Sequence, residues 1–208
     1  MIELYFSTLI TFFVVIDPPG CAPIYAGLTA GAAPAHARAM AVRAVVVAAC
    51  ILFVFALFGE PLLRALGIGL EAFRIAGGIM LFLIAIEMVF EKRTQRREDR
   101  AEKIRATPEV EDVSIFPMAM PMIAGPGSIA SVMLLMSQNE GLERSAIVLA
   151  ALTTILALTL AALIAAGPLM RVLGNRVEAV ITRLLGVLLA ALAAQFVLDG
   201  VKGSFGCA

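Results

Sequence analysis

The sequence predicts an all-α integral membrane protein, and three observations carry that prediction. Of 208 residues, 61% are hydrophobic and 15% charged, with a mean hydropathy of +0.98; soluble domains are less apolar and more charged. The apolar residues fall into six blocks, most of about the 20 residues a helix needs to cross a bilayer. Two of those blocks are interrupted by proline and glycine at corresponding places.

The blocks lie near residues 4–28, 42–66, 70–90, 115–138, 144–172 and 178–199. The first has no basic stretch before it, so it is expected to remain as a membrane helix and not to be removed as a signal peptide. Between the third and fourth lies EKRTQRREDRAEKIRATPEVED, residues 91–112, with seven basic and seven acidic side chains. A stretch so mixed in charge reads as a solvated loop. The chain is thus one membrane domain over 1–208, divided into three helices in 1–90, a charged loop at 91–113 and three helices in 114–208.

Orientation follows from the basic residues flanking the spans. Eleven, among them Arg38, Arg43, Arg171, Arg176 and those of the long loop, fall on one side. Four, Arg64, Arg74, Arg144 and Lys202, fall on the other. The richer side is expected to be cytoplasmic, so both termini face outward, into the periplasm in a Gram-negative cell. With no tryptophan, the interfacial belt must rest on Tyr, Phe and basic residues. A formal net charge of zero gives no field that would draw nucleic acid. Cys21, Cys50 and Cys207 are too few, and set in too apolar a sequence, for a disulfide framework. The lone His36 reads as solvent-facing in a loop, and no metal or cofactor is expected. Without a nucleophile and base or paired carboxylates inside a span, an enzyme is not expected either.

An internal repeat organises the blocks. PLLRALGIGLEA at 61–72 aligns with PLMRVLGNRVEA at 168–179, and the same offset sets Pro19-Gly20 against Pro126-Gly127 and Cys21 against Ser128. Three spans per copy force the second copy to cross the membrane in the opposite sense. Inverted three-helix repeats with interrupted helices are a hallmark of secondary transporters.

The interruptions are DPPGCAP at 17–23 and FPMAMPMIAGPGSIAS at 116–131. A proline inside a helix costs about 3 kcal/mol, and unpaired backbone groups in lipid cost several each. Such segments persist where protein buries them or solute reaches them, so both breaks are expected to face the bundle interior. Asp17 is positioned to cap a restarted helix with Pro18 at its first position, and Gly125-Pro126 to do the same. Each restart is expected to present free N–H groups and a positive dipole end to a carboxylate. Freed carbonyls and the hydroxyls of Ser7, Thr8, Thr11, Ser128 and Ser131 would take an ammonium group or a cation. The candidate substrate-binding residues are Asp17, Pro18, Gly20, Cys21, Gly125, Pro126, Gly127 and Ser128.

Plainer readings stand beside these. Membrane prolines are often kinks alone. Asp17 is explained fully by a cap, and equally by proton or cation coupling, since carboxylates inside membranes are usually functional. Cys21 reads as a small filler. Arg64, Arg171, Glu71 and Glu178 read as anchors or ion-pair members, Glu87 and Gln195 as water-facing, and Gly77, Gly78 and Gly186 as close helix contacts.

The segments FFVVIDPPGCAPIYAGLT and FPMAMPMIAGPGSIASVMLL resemble the two signature segments of the MarC family. The resemblance rests on Pro18, Gly20 and Pro23 in the first and on Pro117, Pro121, Gly125, Pro126 and Gly127 in the second. It extends over essentially the whole chain. It implies an inner-membrane protein of six spans and, for some members, transport of small neutral amino acids such as glycine and alanine, coupled to protons. Where the family commonly has Asn, this chain has Asp17; Asn caps as well but does not titrate. The expected function is translocation of such an amino acid by alternating access, one repeat rocking against the other. The alternative is a channel or an exporter for another small solute on the same repeat. Oligomeric state is not legible.

Overall fold

The computed structural model describes residues 1–90, 112–139 and 141–205, with the backbone alone for 169–176, 178 and 179. The order is α1 (Ile2–Ile16), α2 (Pro18–Leu28), α3 (Pro34–Ala65), α4 (Leu70–Val89), α5 (Ser114–Ile123), α6 (Pro126–Gln138), α7 (Leu142–Ile164) and α8 (Ala166–Ser204). The described residues form helices and connecting turns with no strand. Five helical stretches are long and apolar enough to cross a membrane, and α5 with α6, bent by 51° at their junction, make a sixth.

Most predicted boundaries fall within a few residues of the observed ones, and two do not. The second apolar block begins at 42, but α3 begins at Pro34. Proline suits the first helical turn, and the Ala, His, Arg and Met residues that follow continue the helix. His36 is therefore exposed on a helix, not in a loop. The fifth and sixth blocks, expected to part between 172 and 178, part instead at Ala165. Helix then runs unbroken for 39 residues through Gly174 and Asn175, while the matching stretch of the first half turns at Gly67, whose φ is +69°. The charged loop lies outside the described residues except for its last two. Asp112 pairs with Arg43 of α3, and Val113 is buried.

Burial shows which span is central. In the stretch from Ile2 to Leu28, 67% of the most apolar window lies inside the protein, against 28–39% for the other four continuous spans. Phe12, Ile16 and Tyr25 of this span meet Leu52 of α3, Met118 and Ile123 of α5, and Leu152 and Ile155 of α7 in one core. A second core joins Val14 and Val15 to Leu81 and Met88 of α4, Leu134 of α6, and Leu189 and Phe196 of α8. Tyr5 tightens the first core. The Thr154 hydroxyl donates to the Ala150 carbonyl at 2.9 Å, so at 2.8 Å Tyr5 is the donor to Thr154, joining α1 to α7.

Helices α4 and α8 run antiparallel at close quarters, as the glycines require. A Cβ on Gly78 would fall 2.9 Å from the Ala193 carbonyl oxygen, one on Gly186 3.1 Å from that of Ala85, and one on Gly200 2.9 Å from that of Glu71. The expected helix contacts at Gly78 and Gly186 are present. Gly77 faces α6 instead, against Leu134 and Ala130.

Candidate functional site

The first break is one residue wide. Asp17 adopts φ 59°, ψ 63°, a left-handed conformation that Asp and Asn tolerate better than most side chains. Its N–H donates to the Phe13 carbonyl and its carbonyl accepts from Cys21, both at 3.0 Å. Its carboxylate accepts from the Gly20 amide at 3.1 Å, the cap that the sequence predicts. Asp17 is 1% exposed.

One expectation fails here. The restart of α2 was to offer free N–H groups, but Pro18 and Pro19 have none, and Gly20 and Cys21 donate to Asp17. Pro18 and Pro19 stand four residues beyond Val14 and Val15 and have no N–H to return to those carbonyls, so the helical ladder is interrupted there. The Ile16 carbonyl accepts from the Cys21 thiol at 3.5 Å. Cys21 is thus a donor to a carbonyl the break leaves over, beyond the filler read from sequence. Pro23 lies inside α2 and is tolerated there.

The second break is longer, and its shape follows from its prolines. Proline disfavours the α conformation in the residue before it. Phe116 and Met120, which precede Pro117 and Pro121, are extended, at φ −126° and −131°. The surrounding coil closes with wide five-residue bonds, Met118 to the Val113 carbonyl at 3.3 Å and Ala124 to that of Ala119 at 2.9 Å. Both X-Pro bonds are cis. Gly125 then caps α6 with Pro126 at its first position. A Cβ on Gly125 would fall 2.4 Å from the Pro121 carbonyl oxygen, a backbone atom that cannot swing away. The first bond inside α6 runs from Ile129 to Gly125 at 3.0 Å, so the amides of Gly127 and Ser128 have no acceptor within the helix. The N–H groups expected at both breaks are available at this one.

The two breaks lie side by side. A Cβ on Gly127 would stand 3.7 Å from Val15 Cγ1, beside the first break, and 2.5 Å from Ile84 Cδ1 of α4. Pro18, Gly20, Cys21, Gly125, Gly127 and Ser128 are buried with Asp17, whereas Pro126 is exposed. Of the nearby hydroxyls, Ser7 is exposed and bonded to Leu4, and Thr11 donates back to Ser7. Thr8 of α1 and Ser131 of α6 are fully buried with no hydrogen-bond partner. No group of three His, Cys, Asp or Glu side chains among the described residues could hold a metal ion.

At the far end of α5, Asp112 receives the Ser114 amide at 2.9 Å. The neighbouring Ser114 side chain, that amide and the Arg43 guanidinium hold its carboxyl below the ordinary carboxylate range. Arg64 pairs with Glu60 at 2.6 Å and Arg74 with Glu71 at 3.0 Å, so the first-half anchors are ion-pair members. Gln195 donates to Asp199 at 2.7 Å on an exposed face.

A bundle of apolar helices, two of its spans broken and adjoining, defines an integral multi-pass membrane protein. The family model described as MarC family integral membrane protein matches residues 2–205. The chain belongs to the MarC family. It is 33% identical over 205 residues to the UPF0056 membrane protein YvbG of Bacillus subtilis, covering 99% of this chain and 97% of that one. It is 32% identical to a UPF0056 membrane protein of Methanocaldococcus jannaschii, covering 98% of each chain. To YhcE of Escherichia coli it is likewise 32% identical, covering 97% of this chain and 94% of the other. No solved structure matches it significantly.

Proposed function

We propose that this protein is a secondary transporter of small neutral amino acids of the size of glycine and alanine, working by alternating access in a bacterial inner membrane. The observation that carries the reading is the adjacency of the two breaks, with Gly127 beside Val15. Their chemistry is complementary. The free amides of Gly127 and Ser128, at the positive end of α6, suit a carboxylate. The Val14 carbonyl and the Asp17 carboxylate, on the other side, suit an ammonium group. Gly127, packed against Val15, Leu81 and Ile84, lets the start of α6 come close to the first break, and small residues at both breaks fit a small substrate.

The helix packing supports an inverted repeat. Helix α1 packs on α7 as α5 and α6 pack on α3, and α2 packs on α8 as α6 packs on α4. Exchanging the halves maps each pair onto its counterpart, and α4 with α8 onto itself. In this reading both termini are periplasmic and the charged loop is cytoplasmic. Asp17 is the candidate for proton coupling.

The test is counterflow of labelled glycine or alanine into proteoliposomes, with and without an inward proton gradient. Saturable counterflow stimulated by the gradient is expected. Absence of counterflow across a panel of small amino acids removes the substrate, and conduction without saturation replaces the carrier by a channel.

A further inference from the structure

A cleft of about 840 Å³ opens between the last turns of α3, the last turns of α6 and the first turns of α7. It is separate from the breaks. On α6 the face that carries Gly127, Ala130 and Leu134 is turned to α1 and α4. The cleft is lined by the C-terminal half of α6, through Met133, Met136 and Ser137, two to three turns along the helix from Gly127.

Its polarity is graded along the helices. Phe55 and Ala56 of α3, Met133 of α6 and Leu149 of α7 line the deep end, one to three turns in from the helix ends. Glu60, Arg64, Ser137, Gly141 and Ser145 line the outer end, toward the ends of the three helices. Glu60 and Arg64 form an ion pair, yet Arg64 keeps 78% of its side chain exposed and Glu60 37%. Helix α7 begins at Leu142 with Gly141 as its N-cap and no side-chain cap, so the amides of Leu142, Glu143 and Arg144 have no acceptor within the helix.

We propose that this cleft holds one phospholipid with a zwitterionic headgroup. The phosphate would lie between the Arg64 guanidinium and the uncapped start of α7, the headgroup ammonium against Glu60, and an acyl chain along the apolar floor. The volume suits a specific ligand, and apolar walls with a few placed polar groups are what such sites offer. The chemistry needs all three parts. A bare phosphate would leave the floor unfilled, and an uncharged diglyceride would leave the start of α7 unanswered and bring nothing to the exposed Glu60–Arg64 pair.

The experiment is native mass spectrometry of the full chain, delipidated by detergent exchange and titrated with dioleoyl phosphatidylethanolamine or with dioleoylglycerol, which lacks the phosphate. One phosphatidylethanolamine should be retained about tenfold more tightly than dioleoylglycerol. Arg64→Gln, at a largely exposed position, should abolish that preference. Ala146→Trp, on the lining of the cleft and exposed, should displace both lipids. Glycerophosphoethanolamine, the headgroup without its tails, should not compete at millimolar concentration. Equal binding of the two lipids, an unchanged preference in Arg64→Gln, or retention by Ala146→Trp would overturn the proposal. Competition by the free headgroup would replace the lipid by a soluble phosphate ester and overturn it too.

Discussion

The Asp17 carboxylate accepts the Gly20 amide at 3.1 Å, and the two residues hold one another in place. A Cβ on Gly20 would fall 2.2 Å from Asp17 Oδ2. Gly20→Ala must therefore displace the cap it sits beneath. It should destabilise the protein by about 1–2 kcal/mol, the range for loss of a cap, measured as the loss of folded fraction in a detergent or denaturant titration.

Asp17→Asn separates the cap from coupling. Asparagine accepts the same amide and tolerates the same left-handed backbone, so stability should stay within about 0.5 kcal/mol of the wild type. If Asp17 carries the coupling proton, amino acid flux in proteoliposomes should lose its stimulation by the gradient while exchange persists. Flux with an unaltered pH response would leave Asp17 a cap alone.

Glycines 125 and 127 differ in what stands over them. Over Gly125 it is the Pro121 carbonyl oxygen, at 2.4 Å; over Gly127 it is the tip of Ile84, at 2.5 Å. Gly125→Ala should impair folding, seen as reduced membrane yield and aggregation. Gly127→Ala should fold, with Ile84 swung aside, while Gly127→Leu should remove flux yet insert normally. Wild-type uptake by Gly127→Leu would sink a site at the breaks.

Tyr5→Phe should cost about 0.5–1.5 kcal/mol, the worth of a hydrogen bond, because Thr154 is left without its donor. Thr154→Val in the same background should add less than it costs alone, and a double-mutant cycle reads the coupling directly.

The Arg43–Asp112 pair predicts a small effect with a definite sign. The Asp112 carboxyl titrates below the ordinary carboxylate range. Its contribution is therefore complete above the unfolded-state value and is lost as the pH falls through the lower, folded one. Both side chains are substantially exposed, so Asp112→Asn should change stability by less than about 1 kcal/mol at neutral pH.

The parts of this structure legible in the sequence are those where one residue type has one physical use. Proline in an apolar run has few tolerated places, so both breaks, the Asp17 cap and the start of α6 could be placed from the residues alone. The early start of α3 was not legible, since hydropathy registers what suits lipid and Pro34 to Arg43 is a helix that is not apolar. The division of α7 from α8 was misplaced because Gly-Asn at 174–175 has the composition of a turn, and only packing decides whether a helix runs through it. Free amides are expected at both breaks, but Pro18 and Pro19 have no N–H and Gly20 and Cys21 donate to Asp17, so the first restart offers none. Neither the Tyr5–Thr154 link, across 149 residues, nor the cleft beside Met133 has a local signal, because each depends on which helices become neighbours.

The glycine contacts between α4 and α8 bear on how the molecule can move. With carbonyl oxygens of one helix within about 3 Å of where side chains would begin on the other, the pair interlocks like the teeth of a closed zip. Sliding along it would drive backbone into backbone, whereas swinging about it would leave the contacts intact. Since α4 comes from the first half of the chain and α8 from the second, the fastening joins the two halves. Any opening and closing around the breaks would then turn on this line as a door turns on its post, carrying α1–α2 and α5–α6 as the leaves.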